Sequence, residues 1–180
     1  MKVLLLGGSK SGKSGLAQDM ACELSGGSRK VYWAAMEPVD CEDEARIEKH
    51  VKDREGLGFE TLECGRNIAS KKSAVEGKTV LFDSLTALLA NEMFTGKCFD
   101  LDARERVLSG IAVVSSASEH FICVCDEVFN DGFVFDGMTE EYRRGLAYIC
   151  RSLAEPFDAV AEVTAGIPKF FKGGYPAREV

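Results

Sequence analysis

Three groups of residues in this chain have types and spacings that could do chemistry. The first, Gly7-Gly8-Ser9-Lys10-Ser11-Gly12-Lys13-Ser14, fits the pattern G-x-x-x-x-G-K-[ST] and sits directly behind the apolar run Val3-Leu4-Leu5-Leu6. A triphosphate needs many donors converging on dense negative charge with no side chain in the way. Glycines let successive backbone N–H groups point inward, and the following helix adds its positive N-terminal end. Lys13 would reach the β and γ phosphates, and Ser14 would offer its hydroxyl to Mg²⁺. The second group is Asp83, the acid that ends the apolar run Thr79-Val80-Leu81-Phe82 in the Walker-B pattern. It could hold the Mg²⁺ shell opposite Ser14, and it could equally cap the helix that follows; the two roles are compatible. The third group is Arg46, His50 and Arg54, spaced four apart, which a helix turns into one slowly drifting stripe with an imidazole between two guanidiniums. A solvated face with a histidine in it is the plainer reading. Phosphoryl or nucleotidyl chemistry would give the stripe a purpose, because nearby positive charge keeps an imidazole neutral and nucleophilic and stabilises charge on a phosphorus under attack.

The elements needed to position these groups alternate along the chain. Behind the loop, Leu16, Met20 and Leu24 mark a short amphipathic helix that stops at Ser25-Gly26-Gly27. Residues 31–35 read as a second strand, and the acid-rich stretch Asp40-Cys41-Glu42-Asp43-Glu44 opens the helix of His50, which ends at Gly56-Leu57-Gly58. On that helix Ile47 and Val51 form an apolar stripe that could dock it on the body of the domain. Residues 59–63 read as a short strand, and Ile68 and Val75 as a weak helix. After the strand that ends at Asp83, a helix follows over 85–94, then a loop over 96–102 and a helix over 103–117 with Val107, Leu108, Ile111 and Val114 apolar. The continuous apolar run 121–125 reads as a strand buried on both faces, and Asp126-Glu127 lie at its carboxyl end, where open α/β sheets place their ligands. A glycine-punctuated loop over 130–137, a helix over 139–154, a last strand over 158–163 and a turn at Ala165-Gly166-Ile167-Pro168 lead to the basic, aromatic tail Lys169-Phe170-Phe171-Lys172. His120, just before a buried strand, reads as structural. The alternation predicts a three-layer α/β/α architecture with a mostly parallel sheet, a P-loop NTPase domain of the RecA-like type spanning residues 1–180 as one unit.

Composition bounds the function. A length of 180 residues with 46% hydrophobic and 28% charged residues is ordinary for one globular domain. The formal charge of −7 argues against a general nucleic-acid binder, which would carry a basic face. No apolar run is long enough to cross a bilayer and no signal peptide is legible, so the expected location is cytoplasmic. The seven cysteines are scattered and odd in number, and Cys123 and Cys125 share one face of a predicted strand; buried, reduced thiols are expected rather than a disulfide framework or a zinc site.

Several segments together resemble one family, the bifunctional adenosylcobinamide kinase / adenosylcobinamide-phosphate guanylyltransferases of cobalamin biosynthesis. Gly7 to Ser14 is close to that family's G-G-x-R-S-G-K-S, with Lys10 where arginine is usual. Tyr32-Trp33-Ala34 follows, then Arg46-Ile47-Glu48-Lys49-His50 with Arg54, similar to R-I-x-x-H-x-x-x-R. Glu63 stands where the family has an acid after the next strand. Leu81-Phe82-Asp83-Ser84-Leu85-Thr86 with Asn91 and Phe94 resembles L-[LV]-D-x-L-T, and Glu127-Val128 and Gly166-Ile167-Pro168 with Lys172 complete the series. The resemblance implies that His50 is covalently guanylylated by GTP and passes GMP to adenosylcobinamide phosphate. It implies a kinase step, from ATP or GTP to adenosylcobinamide, that uses Lys13, Ser14, Mg²⁺ and Asp83. Arg46 and Arg54 would clamp phosphates, and Ala34 and Glu63 would contact the nucleotide. A homo-oligomer, a trimer with the site near a subunit interface, is implied too. Two segments depart from the family pattern: N-E-V-G-x-G is here Asp126 to Gly132 with Asp126 and Phe129 changed, and G-R-x-N-Q is here Ala147-Tyr148-Ile149-Cys150-Arg151. A single-activity P-loop kinase of a small metabolite, using His50 only as a phosphate contact, and a non-catalytic nucleotide switch are the alternative readings.

Overall fold

The apolar run behind the glycine-rich loop is a strand, and the loop leads straight from it into a helix. The computed structural model describes residues 1–38, 47–48, 51–52, 54–96, 98–129, 132–133 and 135–175. Within them the chain forms β1 (Lys2–Gly7), α1 (Lys13–Ser25), β2 (Lys30–Ala34) and β3 (Phe59–Glu63). A 3₁₀ turn, Ile68–Lys71, runs into the short α2 (Lys72–Val75), followed by β4 (Thr79–Asp83), α3 (Leu85–Met93), β5 (Phe94–Thr95) and β6 (Cys98–Phe99). The second half contains α4 (Ala103–Ala117), β7 (His120–Asp126), α5 (Gly137–Ala154), β8 (Ala159–Thr164) and β9 (Ile167–Lys172).

Seven strands form one sheet in the order β3-β2-β4-β7-β1-β8-β9, parallel except for β9. The three central strands β4, β7 and β1 are buried almost throughout, which is why they read as continuous apolar runs rather than as alternation. Their side chains divide between two cores. Val3, Leu5, Leu81, Ile122 and Val124 pack on one face with Ala17, Met20 and Ala21 of α1. Leu4, Phe82, Phe121 and Cys123 pack on the other with Leu88 and Leu89 of α3, Val107, Ile111 and Val114 of α4, and Leu146, Ile149 and Leu153 of α5. A row of rings crosses that second core: Trp33 meets Phe82 edge-on at 5.4 Å, Phe82 stacks on Phe121 at 6.0 Å, and Phe121 meets Phe157 at 6.3 Å. Each ring removed from water contributes roughly 1.5–3 kcal/mol.

Local chemistry sets the element ends. Ser84 caps α3, its Oγ accepting from Ala87 N–H at 3.2 Å, and Asp136 caps α5, its Oδ1 accepting from Thr139 N–H at 2.9 Å. The cap of α3 is thus the serine, which leaves Asp83 at the strand end free of that duty. The expected loop over 96–102 contains a correction: Phe94–Thr95 and Cys98–Phe99 pair antiparallel, with the Phe94 and Phe99 rings 5.3 Å apart. Two-residue strands carry no periodicity to read. The tail after Pro168 is a second correction, because it is β9, folded back on β8 through a turn in which Ala165 has φ 51 and Gly166 φ 80. β9 is an edge strand, where the missing N–H of Pro168 is tolerated. Cys123 and Cys125 are fully buried on one face as expected, and Cys125 Sγ lies 3.6 Å from Cys150 Sγ. The hydrogen bond with Cys150 first and burial second raise the Cys125 thiol well above its ordinary pKa.

Candidate active site

The parallel strands bring their carboxyl ends to one edge. Gly7 is in register with Asp126, and Ala34 stands between Asp83 and Glu63. His120 sits at the opposite ends of the strands, beside Thr79, which agrees with a structural role.

The loop between β1 and α1 is tightly determined. Gly12 has φ 91, and a Cβ there would meet Gly166 Cα at 2.9 Å. Ser11 N–H donates to Gly8 O at 3.2 Å, and Gly166 N–H donates to Ser11 O at 2.7 Å, so the β8–β9 turn holds the loop from behind. Glu127 N–H donates to Gly7 O at 2.9 Å and fixes the loop's start to the end of β7. A Cβ on Gly8 would meet nothing within 4 Å, so that side of the loop is open to a ligand. Lys13, only 7% exposed, donates from Nζ to Gly8 O at 3.1 Å and pairs with Asp126 Oδ1 at 2.7 Å.

Asp83 Oδ2 accepts from the Tyr32 hydroxyl at 3.0 Å. The other neighbour of Tyr32 is Arg54, whose guanidinium lies 3.3 Å from the ring centroid and is 7% exposed. Arg54 Nη1 is buried with no hydrogen-bond partner among the described residues. Burial first, and the Asp83 carboxylate second, push the Tyr32 hydroxyl far above its ordinary pKa, so it remains a donor. Lys13, Ser14, Ala34, Arg54, Glu63, Asp83 and Asp126 line one cleft of about 90 Å³. Ile47 and Val51 line the same cleft, and Val51 is 48% exposed, so the apolar stripe faces the cleft instead of docking into a core; among the described residues of that segment the buried one is Arg54. Arg46 and His50 lie outside the described residues.

The structure thus brings Lys13, Ser14, Ala34, Arg54, Glu63 and Asp83 together. Three contributors went unassigned in the sequence. Tyr32 joins Asp83 to Arg54, a role that a tyrosine in an apolar strand only hints at. Asp126 grips the loop lysine with a carboxylate where the family pattern has an asparagine. Thr86 Oγ1 accepts from Asp126 N–H at 2.9 Å, which gives the threonine of the D-x-L-T segment a use. The second departure, at Cys150, is a core position in this chain, 7% exposed against Cys125.

A glycine-rich loop on a central strand of a mostly parallel sheet, with a carboxylate two strands away, is the arrangement of nucleotide-dependent enzymes of the P-loop, RecA-like class. A solved ATPase domain has this fold, superposing with a TM-score of 0.50 at 12% identity over 89% of this chain and 68% of that one. The RadB recombinase scores 0.49 at 18% identity, over 89% and 73%. Residues 3–170 match the family described as CobU, cobinamide kinase / cobinamide phosphate guanyltransferase, and the chain belongs to that family. A relative from Pseudomonas aeruginosa, the bifunctional adenosylcobalamin biosynthesis protein CobP, is 28% identical over 175 residues, 96% of this chain and 98% of its own. Among the described residues no helix is long and apolar enough to cross a membrane.

Proposed function

We propose that this enzyme phosphorylates adenosylcobinamide and then converts the product to adenosylcobinamide-GDP, through a guanylyl-histidine intermediate on His50. The observation that carries this reading is the cleft itself: Lys13, Ser14 and Asp83 share it with a buried Arg54 whose Nη1 lacks a partner among the described residues. A buried guanidinium nitrogen left without a hydrogen-bond partner costs on the order of a few kcal/mol, and a polyphosphate oxygen would offset that.

In the kinase step the loop N–H groups and Lys13 hold the β and γ phosphates of ATP or GTP. The side-chain hydroxyl of adenosylcobinamide attacks the γ-phosphorus, the nucleoside diphosphate leaves, and the hydroxyl proton is released. In the transferase step an imidazole nitrogen of His50 attacks the α-phosphorus of GTP, a P–N bond forms and pyrophosphate leaves. A phosphate oxygen of adenosylcobinamide phosphate then attacks the same phosphorus, the P–N bond breaks, and His50 is regenerated. Arg54 and Arg46 would neutralise charge building on the transferred groups, while Ala34 and Glu63 would contact the nucleotide. The hydroxyl of Ser14 and the carboxylate of Asp83 form the kind of oxygen donor set that Mg²⁺ takes when phosphates and water complete its shell. Mg²⁺ would supply charge neutralisation at the phosphates. The same reading makes the protein a cytoplasmic homotrimer whose site lies near a subunit interface.

The test is product analysis. With adenosylcobinamide, ATP, GTP and Mg²⁺, chromatography should detect adenosylcobinamide phosphate followed by adenosylcobinamide-GDP. Accumulation of the phosphate alone would support the narrower reading, a single-activity kinase, which the carboxylate at Asp126 in place of asparagine keeps in view.

A further inference from the structure

Tyr32 sits in β2, hydrogen-bonded into the sheet between Thr61 of β3 and Leu81 of β4, and is 5% exposed. Its ring packs in the same core as Leu81 and Val124, so it has little freedom to swing. Both of its functional parts are nevertheless committed to the cleft. The hydroxyl donates to Asp83 Oδ2 at 3.0 Å, and the ring lies 3.3 Å from the Arg54 guanidinium. The negative face of the ring partly compensates a cation withdrawn from solvent, and it holds the guanidinium plane in one orientation. The hydroxyl ties up one oxygen of the carboxylate at the end of β4 and fixes its rotamer.

We propose that Tyr32 is a positioning residue that couples the anion-receiving guanidinium of Arg54 to the carboxylate of Asp83, presenting both to one triphosphate. This rests on reading the cleft as a nucleotide site. The ring and the hydroxyl can be removed separately, so the coupling can be dissected. Tyr32→Phe keeps the ring under Arg54 and removes the hydroxyl, and with it the bond to Asp83 and the weaker hydroxyl contact with Arg54. Tyr32→Leu removes both.

The experiment measures binding of a fluorescent GTP analogue by anisotropy, first without Mg²⁺ and then along a Mg²⁺ titration, with a thermal melt on each protein. For Tyr32→Phe, affinity without Mg²⁺ should stay within about twofold of wild type, while the Mg²⁺ concentration needed for half-maximal tightening rises about tenfold, the scale of one hydrogen bond to a charged group. For Tyr32→Leu, affinity without Mg²⁺ should fall as well, by about tenfold as the platform under Arg54 is lost. A merely structural tyrosine would move both readouts together and in proportion to the loss of melting temperature. An unchanged Mg²⁺ titration in Tyr32→Phe, with wild type binding normally, overturns the proposal alone. Failure of wild type to bind the analogue overturns the nucleotide reading of the cleft and this proposal with it. Tyr32→Phe conserves volume and core packing, so the test does not depend on Tyr32→Leu folding.

Discussion

Lys13 has two claimants, the Asp126 carboxylate at 2.7 Å and any phosphate that enters the loop. Charge-assisted bonds of this kind are the strong ones, so Lys13→Ala should weaken GTP binding by roughly 2 kcal/mol or more, read by isothermal titration. Asp126→Asn is the more informative change. It leaves a side chain of the same shape but removes the negative charge that a triphosphate must displace, so GTP should bind several-fold more tightly, about 1 kcal/mol, in the absence of Mg²⁺. Weaker binding in that variant would mean that Asp126 orients Lys13 for the ligand instead of competing with it. At this scale the sequence was legible where chemistry demands contiguous residues, as in Gly7 to Ser14. It was illegible where a contact joins distant positions: Tyr32 and Asp83 are 51 residues apart, and nothing local to either announces their hydrogen bond.

At the level of elements, the site is held by the ends of strands and the caps of helices. Ser84 caps α3 immediately after Asp83, so Ser84→Ala should cost about 1 kcal/mol and lower the melting temperature by about 2–4 °C, with the stability change seen in a calorimetric scan. The loop is more demanding. Gly12 combines φ 91 with a closest approach of 2.9 Å to Gly166, so Gly12→Ala must displace the β8–β9 turn that braces it. That variant should lose nucleotide binding together with stability, and a melt accompanied by a binding titration would reveal both. The sequence marks the turn at Gly166 and a basic, aromatic tail beyond it, but not the strand that the tail forms. The pairing of β9 with β8 shows why a glycine is there: the turn needs φ 80 at Gly166, and in that conformation its N–H donates to Ser11 O at 2.7 Å. The β5–β6 pair was equally hidden, since two residues a side carry no period.

For the whole molecule, the alternation of apolar strands and amphipathic helices was enough to anticipate layers and a mostly parallel sheet, because strands buried on both faces have little choice but to be uniformly apolar. What alternation cannot convey is strand order, and order is what sets the Asp83 end of β4 and the Asp126 end of β7 beside the loop on β1. The central row of rings secures that arrangement; Phe82→Ala should cost about 3–5 kcal/mol by opening a cavity between Trp33 and Phe121, measurable by urea unfolding. Membership of the cobinamide kinase / cobinamide phosphate guanyltransferase family makes two transfers the natural use of one such cleft, with a γ-phosphoryl delivered to an alcohol and a GMP delivered to a phosphate. The central claim is that the second passes through His50. Incubation with Mg²⁺ and GTP labelled at the α-phosphorus, followed by denaturation, should leave label on the protein that is acid-labile and alkali-stable, and His50→Ala should abolish it. No protein-bound label in the wild type, or label that persists in His50→Ala, would contradict the account.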